Sequence, residues 1–471
     1  MAMIRAKTES GIVEGVRGSF PFHTVFRGVP YMAPPVSGLR WKSPQPVKPW
    51  DGIRICDRFK PIAMQPPFGV GNDLISQEFM SAPVEMSEDC MYLNIWTPAE
   101  NPEEKLPVMV YIHGGGWQTG YSYLNAYDGE SFCKRGIIMV TIPWRVGAFG
   151  FLCHPELTAE GGNGSSGNYG YQDQVFALKW IKRNISAFGG DPDNITVFGQ
   201  SAGAGSIRGL CATPLARGLF NRAIIQSIGM IYRRPVSAWT RNLETQEKLG
   251  MAFFDYCGFR SLEEARACSG EELLEKVIAF GKAELFPEDK ETDWYAGGYM
   301  RFGPTEEDGY YFPESPRNAV LRGHIPNCPY MIGSTAGDLP FITPDTVAFG
   351  ENQARLGVPG PYMYYFSHVP PAAESAHHSV EHHYVFQTLI RSRRPYTGYD
   401  FDLSNELADR WAAFARTGTP NCPEKGYDEW TPYTPDAPKA LVIGDQGCHM
   451  EIHPERESRR REWEANLQET I

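Results

Sequence analysis

The sequence predicts an α/β fold with a central, mostly parallel β-sheet flanked by helices, and three observations carry that prediction. LPVMVYIH (106–113) and GIIMVTIPW (136–144) are nearly continuous apolar runs of strand length, the pattern of strands covered on both faces. YGYQDQVFALKWIKRNI (169–185) then spaces its apolar residues at helical intervals before ITVFG (195–199) returns to a strand pattern. Strand, helix and strand in that order make βαβ units, which require a parallel sheet.

The remaining segments fit around that centre. The first hundred residues are short β segments broken by Gly/Pro turns, GIVEGV (11–16) and TVFRGVPYMAPP (24–35) among them, and end in the strand-like MYLNIW (91–96). FNRAIIQSIG (220–229) adds a strand, the region from about 230 to 320 turns mixed and rich in charge and aromatics, and PYMIGSTAG (329–337) resumes the buried strand pattern. The charged tail HPERESRRREWEANLQET (453–470) reads as a solvated helix. No repeat, low-complexity tract or Gly/Ser linker divides the chain. The expectation is one domain over 1–471, with insertions near 60–85 and 230–320 that shape a substrate pocket.

Composition narrows the function. Among 471 residues, 44 Lys+Arg stand against 56 Asp+Glu for a net charge of −12, and no basic stripe is interleaved with aromatics, so nucleic acid is not expected as a partner. The N-terminal MAMIRAKTESGIVEGVRG carries charges where a signal peptide needs an apolar core, and Pro143 and Arg145 interrupt the later apolar run. A cytoplasmic protein without membrane attachment is expected. The 10 cysteines form no CxxC pair, which argues against a zinc ribbon or redox motif and for buried thiols.

The chemistry concentrates at two glycine-rich strand ends. ITVFG followed by QSAGAGS places Ser201 at a strand-to-helix turn, with Gly199 and Gly203 two positions to either side: a G-x-S-x-G nucleophile elbow. Such a turn exposes the serine oxygen, and the flanking glycines give neighbouring backbone room to approach. The first strand ends in HGGGW (113–117), the pattern that supplies oxyanion-hole amides. Gly115 and Gly116, with Ala202 after the serine, are the expected donors to a tetrahedral intermediate. A hydrolase serine also needs an imidazole and a carboxylate to orient it, in chain order Ser, acid, His. AHHSVEHHYVF (376–386) offers four histidines, and His378, Glu381 and His382 also spell the HxxEH motif of a zinc hydrolase, with Glu451 as a conceivable third ligand.

FRGVPYMAPPVSGLRW (26–41), SEDCMYLNIWTP (87–98), HGGGW, WRVGAFGFL (144–152), GNYGYQDQ (167–174), the elbow and FARTGTPN (414–421) together resemble the type-B carboxylesterases, α/β-hydrolases that include the cholinesterases. The resemblance runs nearly end to end and implies the α/β-hydrolase fold. It implies a serine carboxylesterase acting through an acyl-enzyme, without cofactor or metal. The family's H-x-x-E-x-x-Y-V-F pattern falls on His378, Glu381, Tyr384, Val385 and Phe386, selecting His378 as base and leaving His377, His382 and His383 at the pocket rim or surface. The acid falls on Asp338 in GSTAGDL, one methylene shorter than the family's glutamate, so its loop must bring it closer or another carboxylate must serve. Gln200 stands where the family has Glu, removing a negative charge beside the histidine. The family also implies buried ion pairs, here Arg40 with Glu88 and Arg145 with Asp173, and a second disulfide whose spacing Cys257 and Cys268 match, although a reducing cytosol would keep them as thiols; Met64 replaces the first bridge's partner of Cys90, so that bridge should be absent.

For the substrate, the segment before SEDC lacks the tryptophan that cholinesterases use for cation–π contact with choline, so a choline ester is disfavoured. Trp117, Gln200 and Trp294, with Tyr295 and Tyr299, are the candidate pocket residues. The expected substrate is a small to medium, uncharged or aromatic ester, with feruloyl, other hydroxycinnamoyl or acetyl esters of plant origin as the alternative. A non-catalytic adhesion-type relative would more naturally have lost Ser201.

Overall fold

The computed structural model describes residues 1–20, 22–67, 78–79, 84–231, 242–283 and 302–455. Fourteen strands lie among them: β1 (Arg5–Thr8), β2 (Gly11–Glu14), β3 (Val16–Arg17), β4 (Thr24–Pro30), β5 (Ile53–Ile55), β6 (Tyr92–Thr97), β7 (Leu106–Ile112), β8 (Ile138–Ile142), β9 (Gly190–Gln200), β10 (Arg222–Gln226), β11 (Tyr330–Thr335), β12 (Tyr362–Phe366), β13 (Lys439–Gly444) and β14 (Gly447–Ile452). β1, β2 and β5 form a small sheet. The other eleven form one sheet in the order β14-β13-β12-β11-β10-β9-β7-β8-β6-β4-β3. It is parallel from β13 to β8. Antiparallel strands close both edges.

The apolar runs become the centre of this sheet because strand side chains alternate between its faces. In β7, Val108, Val110 and Ile112 join one core, whereas Met109 and Tyr111 join the other. The first core is covered by the helix Tyr169–Asn184, whose Tyr171, Val175, Leu178 and Ile181 lie on one stripe and are buried. Lys182 and Arg183 complement the carbonyl end of that helix. The second is covered by the helix Gly398–Thr417 through Leu407, Trp411 and Phe414. An apolar run without alternation thus reports burial on both sides, as in an α/β-hydrolase.

Both expected ion pairs form. Arg40 grips Glu88 through two bonds of 2.7 and 2.6 Å, and Arg145 grips the fully buried Asp173 through bonds of 2.8 and 2.7 Å. Paired this way, four charges tolerate desolvation and pin loops to the core. Cys90 and Met64 line one small cavity, and Cys257 and Cys268 are free thiols. No described helix is long and apolar enough to cross a membrane.

Candidate active site

The carboxyl ends of β7, β9, β11 and β12 gather the expected site, the edge where parallel sheets of this kind hold their ligands. β9 stops at Gln200, Ser201 turns, and the helix Ala202–Ala212 begins at once. Ser201 has φ +55° and ψ −128°, a conformation that side-chain-bearing residues rarely adopt. Its amide donates to the Gln226 carbonyl at the end of β10, at 2.9 Å, which anchors the turn. The glycines are explained by β7 next door. A Cβ at Gly203 would lie 2.0 Å from the Ile112 carbonyl oxygen, and one at Gly199 would lie 2.6 Å from the same atom. Only hydrogen fits at either position.

The HGGG turn faces this elbow. A Cβ on Gly114 would stand 3.1 Å from the Ser201 Cβ and 2.7 Å from the Gln200 carbonyl oxygen, so these two backbones are in contact. Gly115 (φ +112°) and Gly116 (φ +62°) take left-handed conformations, and the Gly115 carbonyl accepts from the Gln118 and Thr119 amides, both at 3.0 Å. The amides of Gly115 and Gly116 have no acceptor among the described residues. Ala202 is the first residue of its helix, where amides lack an intrahelical partner. His113, buried and stacked on Trp144, has its pKa pushed down to about 4 by desolvation and is therefore neutral. Trp117 is 7% exposed and packs over Gly205 behind the elbow, where a Cβ would meet its indole at 2.6 Å. Trp294, Tyr295 and Tyr299 lie outside the described residues.

Asp338 follows β11 and His378 follows β12, and their loops are tied together by backbone. Gly337 pairs with His377 as an isolated parallel bridge, and the Gly337 amide donates to the Ala376 carbonyl at 2.9 Å. That tie compensates for the short side chain: Asp338 Oδ1 lies 2.5 Å from His378 Nδ1. The Asp338 carboxylate, its side chain fully buried, also accepts from the Thr335 and Leu339 amides, both at 3.1 Å. Burial raises its pKa, but the His378 charge and hydrogen bond outweigh that and lower it. Burial likewise depresses His378, yet the Asp338 charge and bond raise it overall. Gln200 Nε2 lies against the face of the ring, 3.1 Å from His378 Nε2 and 3.5 Å from Nδ1.

Two of the other histidines, His382 and His383, depart from the expected rim or surface position. His382 and His383 are each 2% exposed and His377 is half-buried. His382 fills an aromatic pocket of Tyr111, Tyr127 and Phe386. Both its nitrogens are engaged, with the Tyr111 hydroxyl at 2.7 Å and the Ser379 carbonyl at 2.9 Å, and burial pushes its pKa down to about 3. Glu451 lies on the exposed face of edge strand β14, bonded to His449. The HxxEH residues therefore do not converge with it, and no group of metal-ligating side chains occurs among the described residues.

Glu381 was visible in the sequence only as a pattern residue. Its carboxyl is 1% exposed, with Oε1 3.5 Å from the Tyr364 hydroxyl and, among the described residues, no hydrogen-bond partner for Oε2. Burial and then the Asp338 charge push its pKa up to about 7. A second unforeseen feature is the pair Glu78–Arg394, buried at both ends with bonds of 2.6 and 3.0 Å. Arg394 also donates to the Pro371 carbonyl, and Phe79 rests on the rings of His382 and His383. Glu78 and Phe79 are thus held against the histidine-bearing segment.

Known proteins share this fold. The Carboxylesterase family pattern matches residues 3–356 and 334–461. The fumonisin B1 esterase of Sphingopyxis macrogoltabida is 32% identical over 88% of this chain and 82% of its own, and the para-nitrobenzyl esterase of Bacillus subtilis (strain 168) is 30% identical over 93% and 94%. Among solved structures, a thermophilic PNB esterase superposes with a TM-score of 0.82 at 28% identity, covering 97% of this chain and 99% of that one. The Geobacillus stearothermophilus carboxylesterase gives 0.77 at 30% identity over 97% and 99%. With the elbow, the HGGG turn and the sheet order already in place, this similarity along nearly the whole chain shows that it belongs to the carboxylesterase family of ester hydrolases.

Proposed function

We propose that the chain hydrolyses carboxylic esters through Ser201 as nucleophile, His378 as general base and acid, and Asp338 as the orienting carboxylate. The contact between Asp338 Oδ1 and His378 Nδ1 at 2.5 Å carries this reading, because it fixes the tautomer that leaves Nε2 free to take a proton. Ser201 Oγ attacks the ester carbonyl while its proton passes to His378 Nε2. The resulting oxyanion accepts from the amides of Gly115, Gly116 and Ala202, each commonly worth about 3 kcal/mol of barrier. Collapse expels the alcohol, which takes the proton from His378. Water, deprotonated by the same ring, then attacks the acyl-enzyme and releases the acid.

Small to medium, uncharged or aromatic esters are the proposed substrates, with hydroxycinnamoyl or acetyl esters as the alternative. The para-nitrobenzyl ester named for the Bacillus subtilis relative supports an aromatic substrate. The insertions near 60–85 and 230–320 shape the pocket in this reading. A panel of p-nitrophenyl, benzyl, feruloyl, acetyl and choline esters tests it. Aryl esters should be cleaved well ahead of choline esters, with activity unchanged by a strong chelator. Preference for choline esters, or loss on chelation restored by zinc, would reject the proposal.

A further inference from the structure

The residue that follows His378 is strained. Ser379 has φ +73°, the left-handed region that suits glycine and that side-chain-bearing residues rarely adopt. It is third in a four-residue turn, with His378 second, closed by the Val380 amide on the His377 carbonyl at 3.1 Å. The aim of the His378 ring therefore depends on the two peptide groups that flank Ser379, and neighbouring histidines hold both. His377 Nδ1 lies 3.0 Å from the His378 carbonyl oxygen. The Ser379 carbonyl accepts from the His382 amide at 3.2 Å and from His382 Nδ1 at 2.9 Å.

His382 is itself fixed from its other side. Its Nε2 lies 2.7 Å from the hydroxyl of Tyr111, on the strand β7 that leads into the HGGG turn. The two ring centroids are 6.1 Å apart at 86°, farther than a hydroxyl seated over the imidazole face would allow, so the contact runs along the ring's edge. A carbonyl can only accept; Nδ1 of the neutral ring therefore carries the hydrogen, and the tyrosine donates to the lone pair of Nε2. We propose that His382 is a positioning residue for the catalytic base: it ties the Ser379 peptide to β7 and so holds the strained turn in the conformation that brings His378 to Asp338. Without the tie, Ser379 is drawn back toward the negative φ that its side chain prefers, and rotation there re-aims the neighbouring ring. Glycine has no such preference, so the tie becomes dispensable once residue 379 is glycine. That dependence separates a hold on the backbone from simple packing of an aromatic ring.

This inference rests on His378 being the catalytic base, so His378→Ala is assayed beside the variants that test it. kcat, KM and urea midpoints are measured for the wild-type protein, His382→Phe, His382→Asn, Ser379→Gly and the double variant of His382→Phe with Ser379→Gly. Phe fills the aromatic pocket but makes neither bond. Asn sets an amide N–H where Nδ1 stood, so it keeps the bond to the Ser379 carbonyl and gives up the Tyr111 contact. His382→Phe should lower kcat by about tenfold or more with KM within about twofold of wild type. Ser379→Gly in that background should restore most of the loss, and His382→Asn should turn over faster than His382→Phe, whichever of the two is more stable. A His382→Phe kcat within about twofold of wild type overturns the proposal, as does a loss that Ser379→Gly leaves in place. A His378→Ala variant that keeps its activity would instead sink the assignment of the base, and the proposal with it.

Discussion

Asp338 reaches His378 although its side chain is short, because the backbones beneath them are joined: Gly337 pairs with His377, and the two side chains one residue further on meet at 2.5 Å. The carboxylate is fixed before it meets the ring, since the Thr335 and Leu339 amides already hold both of its oxygens.

Asp338→Asn should therefore fold normally and keep its substrate affinity but lose turnover by about ten-thousandfold, because His378 loses both its tautomer restraint and the partner of its charged form. The check is kcat and KM beside a circular dichroism spectrum. Retention of more than about a tenth of wild-type kcat, with His378→Ala inactive, would place the orienting carboxylate elsewhere.

The same contact sets a pH dependence. Asp338 raises the His378 pKa above its ordinary value near 6.5, and catalysis needs the ring neutral. kcat/KM should fall on the acid side with a midpoint above about 6.5. The sign for stability runs oppositely: the Asp338–His378⁺ attraction is fully present below about 6.5 and fades as pH rises through the folded value. An acid limb centred near pH 5 would mean that Asp338 does not hold the ring in solution.

Glu381 contributes a second slope. A carboxyl whose folded pKa is raised from 4.5 to about 7 costs nothing when protonated in both states and destabilises the fold progressively as pH rises between those values. Glu381→Gln removes that cost. Its stability relative to wild type, from urea midpoints, should improve by about 3 kcal/mol between pH 4.5 and pH 8. A difference that stays flat over this range would show that Glu381 ionises in the fold without penalty.

Gly203→Ala tests the elbow's packing. The added methyl would lie 2.0 Å from the Ile112 carbonyl oxygen, a backbone atom in the sheet centre, so the variant should lose at least about 1–3 kcal/mol and most of its activity. Gly38→Ala, with open space around it, is the control and should be near neutral. Equal unfolding midpoints for the two variants would contradict the close approach of β7 and the elbow.

The motif-bearing parts of the site were legible because their residue types follow from local geometry. Only glycine fits at 199 and 203, and only a strand-to-helix turn puts Ser201 there, so five letters of sequence specify the elbow. The continuous apolar runs likewise announced β7 and β8. What depends on distant backbone stayed hidden. Nothing in GSTAGDL says that Gly337 pairs with His377, and the N-terminal sheet, with β5 beside β2, reflects packing over some forty residues of chain. His382 and Glu381 misled or stayed silent for one reason: polar residues are expected outside, and burial with the Tyr111 hydroxyl or with a retained proton is a property of their surroundings. The missing charge at Gln200 could be read from sequence, but its direct contact with His378 could not.

The most direct test of the whole account is covalent. An aryl phosphonate mimics the tetrahedral intermediate and should react only with a serine activated by its base and supported by oxyanion donors. Incubation should abolish esterase activity in step with addition of one phosphonyl group, and digestion followed by mass spectrometry should place it on the peptide containing Ser201. A label on another residue, or full esterase activity in protein whose Ser201 is completely modified, would contradict the assignment of Ser201 as nucleophile.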